Sequence, residues 1–207
     1  MTSTSRYQAA DIWESQGSLG VINLAQPLHT LKHEHRVIER ALHALNGVCV
    51  RLEWGDPVPH EALSELVDFI GAFADAFHHG KEEAYLFPAL DNRGIPRDAG
   101  PLEALERQHE IERYLTGKMR SAVEKYREVD PASRSQFVEA ASRYVDHLTA
   151  HMEAEEAILF RLAEEVFEES DLAALAQAFR QAEGQLSPRT KEDFEKLADE
   201  LEEKWAL

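Results

Sequence analysis

Residues 78–87 read His78-His79-Gly80-Lys81-Glu82-Glu83-Ala84-Tyr85-Leu86-Phe87, and residues 151–160 read His151-Met152-Glu153-Ala154-Glu155-Glu156-Ala157-Ile158-Leu159-Phe160, one pattern displaced by 151 − 78 = 73 positions. Upstream, Leu31 precedes His35 by four residues as Leu105 precedes His109, a displacement of 109 − 35 = 74. The chain is therefore read as an internal duplication, with one loop residue of slack between its registers. Each half supplies a single His and then a His-x-x-x-Glu pair. That spacing stacks imidazole and carboxylate on one face of a helix, where both can reach a common ion.

The surrounding periodicity is helical throughout. Leu28, Leu31, His35, Ile38, Leu42 and Leu45 alternate steps of three and four, the spacing of one buried helical stripe. After the break Gly55-Asp56-Pro57-Val58-Pro59 comes a second stripe of Leu63, Val67, Ile70, Ala74, His78, Glu82 and Tyr85, which Pro88 and the loop Asn92-Arg93-Gly94-Ile95-Pro96 close. A third runs through Leu102, Leu105, His109, Glu112, Thr116, Met119 and Val123. Asp130-Pro131 is an N-cap followed by proline at the first helical position, and the fourth stripe is Phe137, Ala141, Tyr144, Leu148, His151, Glu155, Ile158, Leu162 and Val166. Four long helices joined by short breaks predict an all-α, up-down-up-down four-helix bundle. Residues 1–25 form an N-terminal arm, 26–168 the bundle, and 169–207 a C-terminal helical extension. Phe194, Leu197, Leu201 and Trp205 line one face of the last helix, which is expected to pack on the bundle or on a second copy in a homodimer.

Composition narrows the function. With 39 acidic against 22 basic residues, a formal net charge of −17 repels a phosphate backbone, and nucleic acid is not an expected partner. The first 25 residues carry Arg6, Asp11 and Glu14 and no continuous apolar run, so no secretory leader or membrane span is expected and a cytoplasmic location is the default. The lone Cys49 excludes an intrachain disulfide and a thiolate-based metal site.

His35, His78, Glu82, His109, His151 and Glu155 all fall on inward stripes, and in antiparallel neighbours they can meet at one depth. A lone His on an apolar face, or a lone His-x-x-x-Glu, is usually structural. Six matched positions are different, because burying four imidazoles and two carboxylates without a compensating cation is expensive. Imidazole and carboxylate without thiolate suit iron, manganese or zinc, and two carboxylates suit a dinuclear site.

Over about residues 28–165 the chain resembles the hemerythrin family, specifically bacterial proteins with a twice-repeated His-His-Glu cation-binding motif. The resemblance rests on Glu34-His35-Arg36, on His78 through Pro88, on Gln108-His109-Glu110 and on His151 through Phe160. It implies an oxo- or hydroxo-bridged pair of iron ions, with manganese or zinc as lesser candidates, that meets dioxygen, peroxide or nitric oxide. It implies His35, His78, His109 and His151 as terminal ligands and Glu82 and Glu155 as bridges. Oxygen-carrying members use five histidines, with a His-x-x-x-His pair on the third helix. Here Arg113 stands four residues after His109, leaving His147 and Glu112 as candidate replacements.

The remaining candidates have structural readings. His29 and His33 are expected on the solvated surface, and His79, Glu83 and Glu156, one residue off the site, outward or as outer partners. Tyr85 and Cys49 are expected in the core. A ferritin-like centre needs two Glu-x-x-His pairs, whereas only Glu106 to His109 fits. Three functions remain open: small-molecule redox chemistry, including a peroxidase- or catalase-like activity; an iron or oxygen sensor without turnover; and a metal-free structural bundle.

Overall fold

The computed structural model describes residues 26–187 and 189–207, so the expected N-terminal arm lies outside the described residues. The described chain is all-helical. Helix α1 is Gln26–Trp54, α2 spans 60–92, α3 is Gly100–Lys125, α4 spans 131–166, α5 is Glu169–Leu186 and α6 is Lys191–Trp205. The breaks fall where the sequence places them, except that α2 runs on through Pro88 to Asn92. Gly55 and Gly94 end α1 and α2 with φ of +87° and +89°, a region that only glycine enters without strain. Asp130 caps α4, its carboxylate accepting the amides of Ala132 and Ser133, and Pro131 opens the helix.

Two of the long helices are not α-helical throughout. Within α2 the stretches Ile70–His79 and Glu82–Leu86 are π-helical, and within α4 so is Glu155–Leu159. A π turn inserts an extra residue into the ladder and rotates everything beyond it. Beyond Glu155 the inward residues are therefore Leu159, Phe160 and Ala163, whereas Ile158, expected on the stripe, is 51% exposed. Tyr85 is likewise half-buried, and Leu86 takes the core position.

Two apolar clusters fill the interior. One gathers Val37 to Leu52, Val58 to Phe77, Leu115 to Tyr126, Phe137 to Met152 and the face of α6. The other gathers Leu28, Leu31, Leu86, Phe87, Leu90, Leu102, Leu105, Leu159, Phe160, Ala163, Leu175 and Phe179. Each of α1 to α4 contributes to both, and the buried residues where each helix passes from one to the other are His or Glu, joined on α2 by Lys81. A polar layer is thus sealed between two apolar blocks.

Helix α6 packs on α1. Side-chain hydrogen bonds tie His33 to Glu195 at 2.6 Å, Arg40 to Asp199 at 2.6 Å and His43 to Glu202 at 2.8 Å, so the two helices run in the same direction. Phe194, Leu201 and Trp205 are buried by this contact within one chain. Of the two packings expected for this apolar face, on the bundle or on a second copy, the structure shows the packing on the bundle. Among the described residues no helix is long and apolar enough to cross a membrane.

Candidate metal centre

The polar layer holds His35 and Glu34 from α1, His78, His79, Lys81 and Glu82 from α2, His109 and Glu112 from α3, and His151 and Glu155 from α4, all buried. His35 Nε2 faces His78 Nε2 at 3.1 Å, and His109 Nε2 faces His151 Nε2 at 3.1 Å. The Nδ1 atoms point outward to fixed partners: His35 to Glu156 at 3.0 Å, His78 to Glu34 at 3.0 Å, His109 to Glu83 at 2.7 Å and His151 to Gln108 at 2.9 Å. When each Nδ1–H donates outward, each Nε2 is left as a bare lone pair turned into the layer. Two facing lone pairs at that separation repel unless positive charge lies between them.

The carboxylates sit between the two imidazole pairs. Glu82 directs Oε1 toward His78 Nε2 at 3.8 Å and Oε2 toward His109 Nε2 at 3.6 Å. Glu155 directs Oε2 toward His35 Nε2 at 3.2 Å and Oε1 toward His151 Nε2 at 3.1 Å. Two ligand clusters result, His35, His78, Glu82 and Glu155, and His79, Glu82, His109 and His151, the donor atoms of each lying within 4.8 Å of one another. The six positions singled out in the sequence all converge here.

His79 was not foreseen. Expected outward or as an outer partner, it is fully buried, its ring stacked on that of His109 with centroids 4.0 Å apart and planes at 13°. The π-helical stretch that ends at His79 lets two consecutive histidines face inward, which an α-helix, turning about 100° per residue, does not permit. The repeat carried a signal for it. The matching residue of the second half is Met152, an apolar side chain in a polar run, and it too is buried. His147, in contrast, donates from Nδ1 to Glu112 Oε1 at 3.0 Å, a quarter of its side chain is exposed, and it belongs to neither cluster.

The buried atoms without a hydrogen-bond partner concentrate in this layer: both ring nitrogens of His79, both oxygens of Glu82, both of Glu155 and Oε2 of Glu112. Folded proteins rarely leave such groups orphaned. Their convergence, and a donor set of imidazole nitrogen and carboxylate oxygen, fit divalent or trivalent metal ions. The electrostatics agree. Burial, with His109 and His151 close by, holds His79 far below the ordinary imidazole range, and burial brings His78 down to about 4, so both offer neutral lone pairs. Burial also opposes the charge on Glu155, but His151, His109 and His35 outweigh it and keep that carboxylate ionised. Burial and the charge of Glu155 push Glu82 upward. Burial opposes charge on His109 too, yet its contacts with Glu155 and Glu83 raise it to about 9. The layer demands positive charge, which protons supply in part and metal ions supply fully.

Arg113, which stands where an oxygen carrier has its paired histidine, points away from the layer. Its Nη2 donates to Glu83 at 2.6 Å and its Nε to Asp75 at 2.7 Å, so it fixes the carboxylate that orients His109. Arg36 does the same for Glu156 at 3.3 Å.

The family model described as the hemerythrin HHE cation binding domain matches residues 26–163, and the chain belongs to that family. Two groups of its buried histidines and glutamates have the composition and closeness to hold a metal ion. Relatives described as uncharacterized proteins of Mycobacterium tuberculosis and Mycobacterium bovis are 27% identical over 153 residues, 74% of this chain. The chain spans 59% of the length of these relatives. No solved structure matches the chain.

Proposed function

We propose that this protein is a non-haem di-iron protein of the hemerythrin type that handles dioxygen, peroxide or nitric oxide. The observation that carries the reading is the pair of facing Nε2 atoms in each half of the layer, with Glu82 and Glu155 each turning one oxygen toward either pair. One ion would be held by His35, His78, Glu82 and Glu155, and the other by His79, His109, His151 and the same two carboxylates. The alternating passage of α1 to α4 between the two apolar clusters supports an up-down-up-down bundle as the scaffold.

His79 brings the number of donors to seven, with two imidazoles toward one ion and three toward the other. An ion on His35 and His78 would have fewer protein donors and would be the place for an exchangeable small molecule. When bound, a pair of irons supplies one-electron steps at two adjacent centres and Lewis acidity toward an oxygen or nitrogen donor. The chain itself orients the imidazoles and excludes water. Phe160 stacks on His35 with centroids 5.5 Å apart, and Phe87 on His109 at 5.7 Å, closing the layer on one side.

The experiment is a visible spectrum of the iron-loaded protein, recorded before and after addition of peroxide and, separately, of nitric oxide to the reduced form. The reading expects a charge-transfer band that changes with each, and peroxide consumption measured alongside distinguishes turnover from binding. An iron-loaded protein whose spectrum responds to neither contradicts it.

A further inference from the structure

The duplication contains one place where its halves keep the same geometry but differ in charge. Glu34, the residue before His35, meets His78 Nδ1 at 3.0 Å, and its counterpart Gln108, the residue before His109, meets His151 Nδ1 at 2.9 Å. The residue three positions after each of these histidines changes in step: Lys81 follows His78, and Ala154 follows His151. Lys81 is fully buried and its ammonium donates to the Glu34 carboxylate. The ammonium lies 4.2 Å from the centre of the Phe77 ring, and helix α5 closes it in with Phe179 at 5.5 Å and Glu183 at 3.3 Å.

A buried ammonium is costly to desolvate, and a leucine or methionine would fill the same space among Phe77 and Phe179. The lysine occurs in the half whose imidazole faces a carboxylate and is absent from the half whose imidazole faces an amide. The other two outer carboxylates, Glu83 and Glu156, are matched by partly exposed arginines.

We propose that Lys81 is a positioning residue for the ion at His35 and His78. Its ammonium fixes Glu34 against His78 Nδ1 and thereby aims His78 Nε2 into the cluster, and α5 belongs to the metal site because it seals this pair from water. The inference rests on the two-ion reading above. An imidazole that donates to a carboxylate is a stronger metal donor than one that donates to an amide, so the pair also makes the two metal positions unequal.

The test is a stepwise anaerobic titration of metal-free protein with cobalt(II) against a competing chelator, each step read by visible absorption, with the fold checked by circular dichroism. The wild type takes two ions. Lys81→Ala and Glu34→Gln each weaken one ion by roughly tenfold or more while the other stays near its wild-type affinity. The double variant Glu34→Gln/Lys81→Ala, which gives the first half the residues of the second, folds and holds that ion no more weakly than Glu34→Gln alone, because Lys81 acts through Glu34. Single variants that hold both ions as the wild type does, or a double variant as weak as the two single losses combined, overturn the inference. A wild type that takes fewer than two ions overturns the two-ion reading and this inference with it.

Discussion

The imidazole of His79 lies flat on that of His109, 4.0 Å between ring centres, with neither of its nitrogens hydrogen-bonded and no surface exposed. A core residue chosen for packing has no reason to carry two orphaned nitrogens there. If His79 is the third imidazole of the second ion, His79→Ala lowers the affinity of one ion by roughly 10-fold to 100-fold, the scale on which even outer partners of a metal ligand matter. His147→Ala, which removes a partner of Glu112 only, keeps both ions at nearly wild-type affinity. Metal content after dialysis against a chelator compares the two, and the reverse order of sensitivity would assign the fifth imidazole to His147.

The inner and outer carboxylates are expected to differ in kind. Glu82 and Glu155 each face both imidazole pairs, so Glu82→Ala or Glu155→Ala loses both ions. Glu83 and Glu156 touch only the outer nitrogens of His109 and His35, at 2.7 and 3.0 Å, and their alanine variants retain metal with about 10-fold to 100-fold lower affinity. Equilibrium dialysis with elemental analysis separates these outcomes. Full retention of both ions in Glu82→Ala contradicts the bridging role.

The helices, and the six positions that the structure brings together in one layer, were legible in the sequence from inward stripes and the repeat, as Leu31, His35, Ile38 and Leu42 show on α1 and Leu105, His109 and Glu112 on α3. What was hidden lies next to the π turns. No residue pattern announces an inserted residue in a helix, so His79 reads as outward or as an outer partner and Ile158 as inward, whereas in the structure His79 is buried in the layer and Ile158 is exposed. Only the repeat, with buried Met152 in the place of His79, pointed to the inward turn. The docking of α6 on α1 rather than on a second copy depends on long-range pairs such as Arg40 with Asp199, which periodicity does not encode.

Gly47 marks that docking. A Cβ placed there would lie 1.9 Å from the carbonyl oxygen of Trp205, which also accepts from Arg51 Nη1 at 2.6 Å. Gly47→Ala therefore pushes the end of α6 off α1, at an overpacking cost of about 1–3 kcal/mol. A lower melting temperature and faster proteolysis within 191–205 are the expected readings. Unchanged proteolysis would show that α6 tolerates the displacement.

Burial pushes the Cys49 thiol up from 9.0 to about 12, against a hydrogen bond with Ser142. The unfolded chain releases this proton near the ordinary value while the folded chain still holds it, so stability falls as pH rises between 9 and about 12. One such group contributes a slope of about 1.4 kcal/mol per pH unit. Denaturant melts of wild type and Cys49→Ala at pH 8, 9 and 10 check the sign: the variant loses less stability over this range. An equal loss in both assigns the alkaline slope to other groups.

The most direct measurement is the number and kind of metal ions per chain after expression in iron-replete medium or anaerobic reconstitution with iron(II), by elemental analysis and by anomalous scattering from a crystal. Two iron ions per chain, one among His35, His78, Glu82 and Glu155 and one among His79, His109, His151 and the same carboxylates, is the predicted result. A single ion, or a fully folded chain that takes up no iron, would contradict the di-iron reading.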